Sequence, residues 1–206
     1  GHPGKKLLFM GGEFGQFAEW DFSKQLDWQL LDFDAHRSTK DFVKTLNATY
    51  KENACLYQIE DSWGGYRWHV ADDYKQNIIV YERRDRNGKG ILAVINFSPV
   101  RRAAYRFGAD PGTYREILYS DTSGWNTGRG SHKAEKVASH GFTHSLVLDV
   151  EPYAAVYMTL PAPTKPKATA ETKQAKPTKT ASATKTARSA AKPKQTSKKS
   201  IGKEGN

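Results

Sequence analysis

Residues 5–16 read KKLLFMGGEFGQ. The four apolar residues from Leu7 to Met10 show no polar alternation, which is typical of a strand buried on both faces of a parallel sheet. Two glycines allow a sharp turn directly after this run, and Glu13 follows them. In a (β/α)8 barrel, the residues just past the carboxyl end of a strand line the active site. The stretch therefore predicts a barrel strand that leads into a functional loop.

The predicted loop, which continues to residue 28, is rich in aromatic and acidic residues. Aromatic faces stack on the apolar C–H faces of sugar rings, and carboxylates accept hydrogen bonds from sugar hydroxyls. We therefore predict that Glu13, Trp20 and Trp28 contact a carbohydrate substrate. Glu13 is interpreted as a positioning residue, because it has no second carboxylate at the spacing that glycoside chemistry needs. The alternative, in which the two tryptophans belong to the hydrophobic core, stays open.

Several motifs in order along the chain carry a resemblance to a known family. They are HPGKKLLFMGGEFGQ, EW and LDW near the start, then NFSPV, YRFG, PG-YREIL-SD and SHG—HSL-L. Together they resemble the C-terminal part of the glycogen (1,4-α-glucan) branching enzymes of the α-amylase superfamily, over about residues 1–160. The chain departs from the family pattern at Asp21-Phe22-Ser23, where the family usually carries an Asn-His-Asp-like segment.

The resemblance implies an activity and a division of labour within a longer protein. Branching enzymes cleave an α-1,4-glucan and transfer the freed segment to a 6-hydroxyl, which creates an α-1,6 branch in glycogen synthesis. The implied mechanism is retaining and uses two carboxylic residues, with no metal or other cofactor. Those residues lie on earlier barrel strands, and none of their motifs is present here, so we predict no catalytic residue in this chain. We expect the chain alone to be inactive and to need the N-terminal barrel portion as a partner.

The hydrophobic periodicity divides the chain into a helical and a β-rich part. Phe42, Leu46 and Tyr50 recur at helical spacing and predict an amphipathic helix over residues 36–52. From about residue 56 the period changes to two, and short β-rich runs are separated by turn residues. Asn87-Gly88 is a hairpin signal between two of these runs. These patterns predict the end of a (β/α)8 barrel at residues 1–55 and an all-β antiparallel sandwich at residues 56–160.

The net charge of +10 is confined to the C-terminal tail. Residues 1–160 hold 20 basic and 20 acidic residues, whereas residues 161–206 hold 12 basic and 2 acidic residues. The tail is built from Lys, Ala, Thr, Ser and Pro, so it cannot bury enough apolar area to fold, and we predict that residues 161–206 are disordered. Such a tail could contact polyanions without sequence specificity, or it could be a solvated extension of no specific role.

The cysteine and membrane signals favour a reducing compartment. The single Cys55 excludes an internal disulfide, and its surroundings suggest a small buried residue. No apolar stretch is long enough to span a membrane, so we predict a cytoplasmic protein.

Two further candidates come from the polar connection over residues 121–141. Trp125 lies in a Gly-rich segment and is interpreted either as an anchor of the loop or as a surface platform for a sugar. His132, His140 and His144 lack a neighbouring Cys or carboxylate cluster, so we predict no zinc site.

An alternative function belongs to a different class. The chain could be a non-catalytic module that binds α-glucan, such as glycogen or amylose, through the β-domain and a polyanion through the tail.

Overall fold

The computed structural model describes residues 1–128 and 130–162. The predicted disordered tail, from residue 163 onward, lies outside the described residues. The described residues belong to one compact unit, so the predicted domain boundary at residue 55 stays a prediction.

The predicted helix is confirmed as α1, Asp34–Glu52. No residue of α1 is buried, and its apolar positions Phe42, Val43, Leu46 and Tyr50 are only half-buried. Short 3-10 helices cover Gly12–Phe14, Trp28–Asp32, Ala54–Leu56 and Trp63–Gly65. The N-terminal third of the chain is therefore helical and irregular, and most of its surface is in solvent.

The β-rich runs form the predicted antiparallel strands. The strands are β1 (Tyr66–Asp73), β2 (Ile78–Arg84), β3 (Gly90–Asn96), β4 (Arg102–Ala109), β5 (Thr113–Asp121), β6 (Gly124–Asn126), β7 (Ser131–Lys133), β8 (His144–Val150) and β9 (Ala155–Thr159). The predicted hairpin joins β2 to β3, and Gly88 adopts a φ of 77° there, which few other residues tolerate.

The described strands make two antiparallel sheets. The larger sheet has the order β1-β2-β3-β9-β5-β6, with β7 also paired to β5, and the smaller sheet pairs β4 with β8. In the larger sheet, the last strand in sequence is β9, which lies between β3 and β5 and pairs with both. This arrangement supports the all-β class that the period of two predicted.

The hydrophobic core lies between the two sheets. Leu92, Val94 and Val156 of the larger sheet share one buried cluster with Phe107 and Leu146 of the smaller sheet. Because strand side chains alternate between faces, the residues between these positions point to the opposite face of the larger sheet. This alternation between a core-facing and an outward-facing side explains the period of two in the hydrophobic pattern of the sequence.

The outer face of the larger sheet is covered by the segment that follows α1. Cys55 and Leu56 pack on Ile91 of β3, and Tyr50 of α1 packs on the same cluster. Cys55 is buried as predicted, and burial raises the pKa of its thiol to about 11, so the thiol is uncharged at neutral pH. This second cluster places α1 beside the outer face of the larger sheet.

The described residues depart from two sequence predictions. The run from Leu7 to Met10 forms no strand and is exposed, with Leu7 at 89%. A buried parallel strand needs neighbours on both edges and cover on both faces, and the described residues supply neither. The predicted polar connection over residues 121–141 is not wholly irregular, because it contains β6 and β7, which pair with β5.

Candidate functional site

Glu13 lies in a tight turn that its own carboxylate stabilises. Gly11 adopts a φ of 85°, and its N–H donates a 3.0 Å hydrogen bond to Oε2 of Glu13. Phe14, the next residue, is fully buried. The half-buried Glu13 therefore holds the turn, and its remaining oxygen is the group available to a ligand.

Trp20 and Trp28 each pack on one aromatic neighbour and leave the rest of the indole in solvent. Trp20 meets Phe9 edge-to-face at 6.3 Å between ring centroids, and Trp28 meets Phe14 at 5.2 Å. Lys40 of α1 lies over the Trp28 ring, with Nζ 5.7 Å from its centroid. The two tryptophans are 39% and 46% exposed, so neither is a core residue in the described chain.

Gln16 connects the two ends of this loop. Its backbone N–H donates to the carbonyl of Gly11 at 3.0 Å, and its Oε1 accepts a 2.9 Å hydrogen bond from the N–H of Asp27. Among the described residues, no hydrogen bond or ring contact joins Glu13 to Trp20 or Trp28. The structure thus places the three predicted residues on one folded-back loop without assembling them into a single contact set.

The N-terminal segment exposes many large apolar side chains. Its most exposed large side chains are Leu7, Leu8, Phe9, Met10, Phe17, Phe22 and Phe33. Seven large apolar side chains at 52–89% exposure within 27 residues are unusual for a solvent-facing surface, and such patches mark interaction sites. This surface is called the N-terminal apolar surface below.

A buried ionic network, which the sequence reasoning missed, lies inside the β-domain. Glu82 is 1% exposed and accepts hydrogen bonds from Arg67, Arg84 and His69. Burial acts to raise the pKa of the Glu82 carboxyl, but these donors outweigh burial and hold the pKa at about 2. Asp110 joins the network through the same two arginines.

The ring of His69 is fixed by two acceptors. Its Nδ1 lies 2.8 Å from the carbonyl oxygen of Gly108, and its Nε2 lies 3.0 Å from Oε2 of Glu82. Phe142 stacks on the imidazole at 4.4 Å between centroids. The pairing register of β1 shifts between Trp68 and Val70, so a bulge points His69 into this network. We interpret the network as structural, because both ring nitrogens of His69 and the Glu82 carboxylate are hydrogen-bonded within it.

The three histidines considered for a metal lie in separate surroundings. His132 contacts Glu116 at 2.8 Å, His140 contacts Ser139, and His144 contacts Thr143. Within residues 1–128 and 130–162 no group of three metal-ligating side chains comes together.

A groove forms where α1 passes strands β5 and β6, near one edge of the larger sheet. It encloses about 790 Å³, with one wall from α1 and the other from Ile117, Trp125 and Thr127. The half-buried Trp125 ring lies 6.1 Å from Phe42 of α1. The sequence analysis identified Trp125 as a candidate. It did not predict the opposite wall of the groove, because α1 lies more than 70 residues earlier in the chain.

The β-domain matches a known domain family. Residues 68–160 match the family described as the alpha amylase C-terminal all-beta domain. This match spans β1 to β9 of the described strands, apart from the first two residues of β1.

A curated relative extends this match toward the N-terminus. Over 163 residues the chain is 42% identical to the 1,4-alpha-glucan branching enzyme GlgB of Aquifex aeolicus (strain VF5). The match covers 76% of this chain and 26% of that protein, so the chain spans about a quarter of the relative's length. Together the two matches confirm the resemblance to the C-terminal part of the 1,4-α-glucan branching enzymes of the α-amylase superfamily.

Solved structures give weaker likenesses. Trehalulose synthase MutB from Pseudomonas mesoacidophila MX-45 matches with a TM-score of 0.37 at 19% identity, over 66% of this chain and 21% of that one. A variant of that enzyme in complex with Tris matches with the same TM-score at 18% identity, over 73% and 23% of the two chains. No helix in the described part of the chain is long and apolar enough to cross a membrane.

Proposed function

We propose that this chain is the C-terminal portion of a glucan branching enzyme that acts in glycogen biosynthesis. The complete enzyme cleaves an α-1,4-glucan and transfers the freed segment to a 6-hydroxyl, forming an α-1,6 branch. The observation that carries this proposal is the 42% identity over 163 residues with a 1,4-alpha-glucan branching enzyme, which extends beyond the β-domain into the N-terminal third.

The proposed chemistry belongs to residues outside this chain. A retaining transfer needs a carboxylate nucleophile and a carboxylic acid about 5–5.5 Å apart. Oε2 of Glu13 accepts a hydrogen bond from the N–H of Gly11, which supports a positioning role in the turn. With Trp20 and Trp28, Glu13 contributes a carbohydrate-contacting edge to an active site completed by other barrel strands. The chain by itself makes no branches.

The proposed partner of the N-terminal apolar surface is the rest of the catalytic barrel. Leu7 to Met10 become a central barrel strand only when adjacent strands supply hydrogen bonds and helices supply cover. Each large side chain covered in this way stabilises the assembly by about 1.5–3 kcal/mol. The exposed positions of these residues support this assignment. We place the enzyme in the cytoplasm, without a cofactor, and we assign the basic tail no more than non-specific contact with polyanions.

A chimera with the Aquifex relative tests this function. The matched region of that branching enzyme is replaced by residues 1–162 of this chain, and branching of amylose is measured as new α-1,6 linkages. We expect activity from the folded chimera, and none from the 206-residue chain or from the relative that lacks the region. Branching by the chain alone, or a folded but inactive chimera, would contradict the proposal.

A further inference from the structure

The groove between α1 and the β5–β6 edge has two walls of different chemistry. The α1 wall presents one stripe of the helix, since residues three and four apart share a face. The stripe consists of Asp41, Lys44, Thr45, Ala48, Thr49 and Glu52. A helix that packs on a domain normally turns apolar residues toward it. Here a polar stripe lines the space beside the sheet, so the groove is not an unfilled part of the core.

The polar groups of this stripe are available to a ligand. Among the described residues, the side chains of Asp41, Lys44 and Glu52 make no ion pair, and the Thr45 hydroxyl donates only to the carbonyl of Asp41, at 3.1 Å. Carboxylates, an ammonium group and hydroxyls at helical spacing give both donors and acceptors. Two carboxylates and one ammonium group give the stripe a net charge of −1, which disfavours an anionic ligand, and the hydroxyl, carboxylate and ammonium groups together suit a polyhydroxylated one.

The sheet wall supplies an aromatic platform. Trp125 lies on β6, where it pairs with Ser120 of β5. Phe42 packs beside its ring at an interplanar angle of 37°, and the half-buried indole leaves the rest of its surface to the groove. Ile117 adds apolar surface at the base. An aromatic face opposed by hydrogen-bonding groups is the arrangement that a sugar ring matches, because the ring has apolar C–H faces and a polar edge.

We propose that this groove binds a segment of linear α-glucan, with a glucose ring stacked on Trp125 and its hydroxyls bonded to the polar stripe of α1. The inference rests on the proposed function, which supplies α-glucan as the ligand. The groove has a volume of about 790 Å³, which is within the range of ligand sites, about 300–1,000 Å³. Asp41 and Glu52 lie eleven residues apart, or about 16 Å along the helix, which is too far for the paired carboxylates of glycoside cleavage. The groove therefore holds the glucan without cutting it.

The test measures maltoheptaose binding to the 206-residue chain by isothermal titration. Trp125→Ala removes the platform, and Ala48→Trp fills the groove from the exposed face of α1. We expect each substitution to weaken binding about tenfold or more. Tyr74→Ala is the matched control, since it removes an exposed aromatic ring from the β1–β2 turn, and it leaves the affinity unchanged. Thermal unfolding of each variant shows whether the fold is retained, and Ala48→Trp decides the result if Trp125→Ala unfolds.

Three results overturn the proposal. They are no binding by the unmodified chain, unchanged affinity in a folded Trp125→Ala or Ala48→Trp variant, and equal affinity for a β-1,4-linked glucan of the same length. None of them depends on catalysis, because the chain alone is inactive under the proposed function. Branching by the chimera with the Aquifex relative decides the proposed function separately, so either idea can fail while the other stands.

Discussion

At the residue scale, Glu82 is the side chain on which the polar interior of the β-domain depends. Three donors from two strands converge on this carboxylate, and it is almost fully buried. Removing one member of a buried charge network leaves its partners unpaired at low dielectric, and breaking a fully buried pair costs about 3–5 kcal/mol. The side chains of Arg67 and Arg84 are 43% and 29% exposed, so water screens their charges and reduces this loss of stability.

We expect Glu82→Gln to lower the free energy of unfolding by about 2–4 kcal/mol at pH 7. Urea titration measures the change, and Glu135→Gln is the control, because Glu135 is exposed and forms a surface ion pair with Arg106. The control should change stability by less than about 0.5 kcal/mol. Equal effects from the two substitutions would show that the network contributes nothing beyond a surface ion pair.

The same carboxylate predicts a pH dependence with a definite sign. The pKa of Glu82 is about 2 in the folded chain and 4.5 as its ordinary value, so the folded state favours the ionised form. Its contribution is therefore fully present above about pH 4.5 and is lost as the pH falls toward 2. Stability should decline over this window, and the decline should be shallower in Glu82→Gln. Parallel curves for the two proteins, measured between pH 2 and 7, would refute this assignment.

The sequence could not predict this network, although it contained every residue of it. Glu82 lies on a strand whose apolar neighbours gave the correct element, and a charged residue there reads as an exposed position. A bulge in β1 and the carbonyl of Gly108 decide that His69 and Glu82 meet. Such contacts depend on cross-strand register and on a distant strand, neither of which follows from local periodicity.

At the scale of elements, Arg83 links the N-terminal segment to the β-domain. It is fully buried on β2, and its guanidinium donates to the carbonyls of Gly65 and Ile59 and to those of Gly1 and His2. Five donors in a fixed fork suit this role, since a single lysine could not reach so many oxygens at once. The first residues are therefore held by a side chain of the outer sheet face.

Replacing Arg83 should release this segment. We expect Arg83→Met to keep the aliphatic stem, to lower the free energy of unfolding by about 2 kcal/mol, and to speed amide exchange over residues 4–9. Hydrogen exchange followed by mass spectrometry measures the second effect. Arg86→Met is the matched control, because Arg86 lies exposed in the β2–β3 hairpin. Unchanged exchange near the N-terminus would refute the role of Arg83.

The elements that local patterns predicted correctly are those whose partners lie nearby or whose buried face is unambiguous. The β2–β3 hairpin and α1 are examples. The strand predicted over Leu7 to Met10 is absent from the described residues, because a strand depends on hydrogen-bonding partners that a local apolar run does not specify. The strands β6 and β7 were missed because polar residues pair there on the edges of β5. Trp125 was noticed, but its groove depends on how α1 packs, which no local pattern specifies.

At the scale of the whole molecule, the main core belongs to the β-domain alone. Every buried member of the larger cluster lies between Val70 and Leu160. The second cluster also includes Tyr50 from α1 and Cys55 and Leu56 from the segment after it. Two packed sheets with one core meet the usual requirement for independent folding.

We expect residues 56–162 to fold without the N-terminal third. Its thermal unfolding should be cooperative, with a midpoint below that of the full chain, because Ile91 loses the cover of Cys55 and Tyr50. Circular dichroism and thermal scanning measure this result, and residues 1–55 alone serve as the comparison, for which we expect no cooperative transition. A fragment 56–162 without a cooperative transition would show that the N-terminal third is part of the folding unit.

The position of β9 between β3 and β5 has a consequence for biosynthesis. A ribosome delivers the chain from its N-terminus, yet the strand that joins the two halves of the larger sheet is the last one delivered. Until residue 159 has left the ribosome, β3 and β5 present open edges that can pair with other nascent chains. The domain therefore forms in one late step, and a premature stop before residue 155 abolishes all of it, whichever strands have already been made.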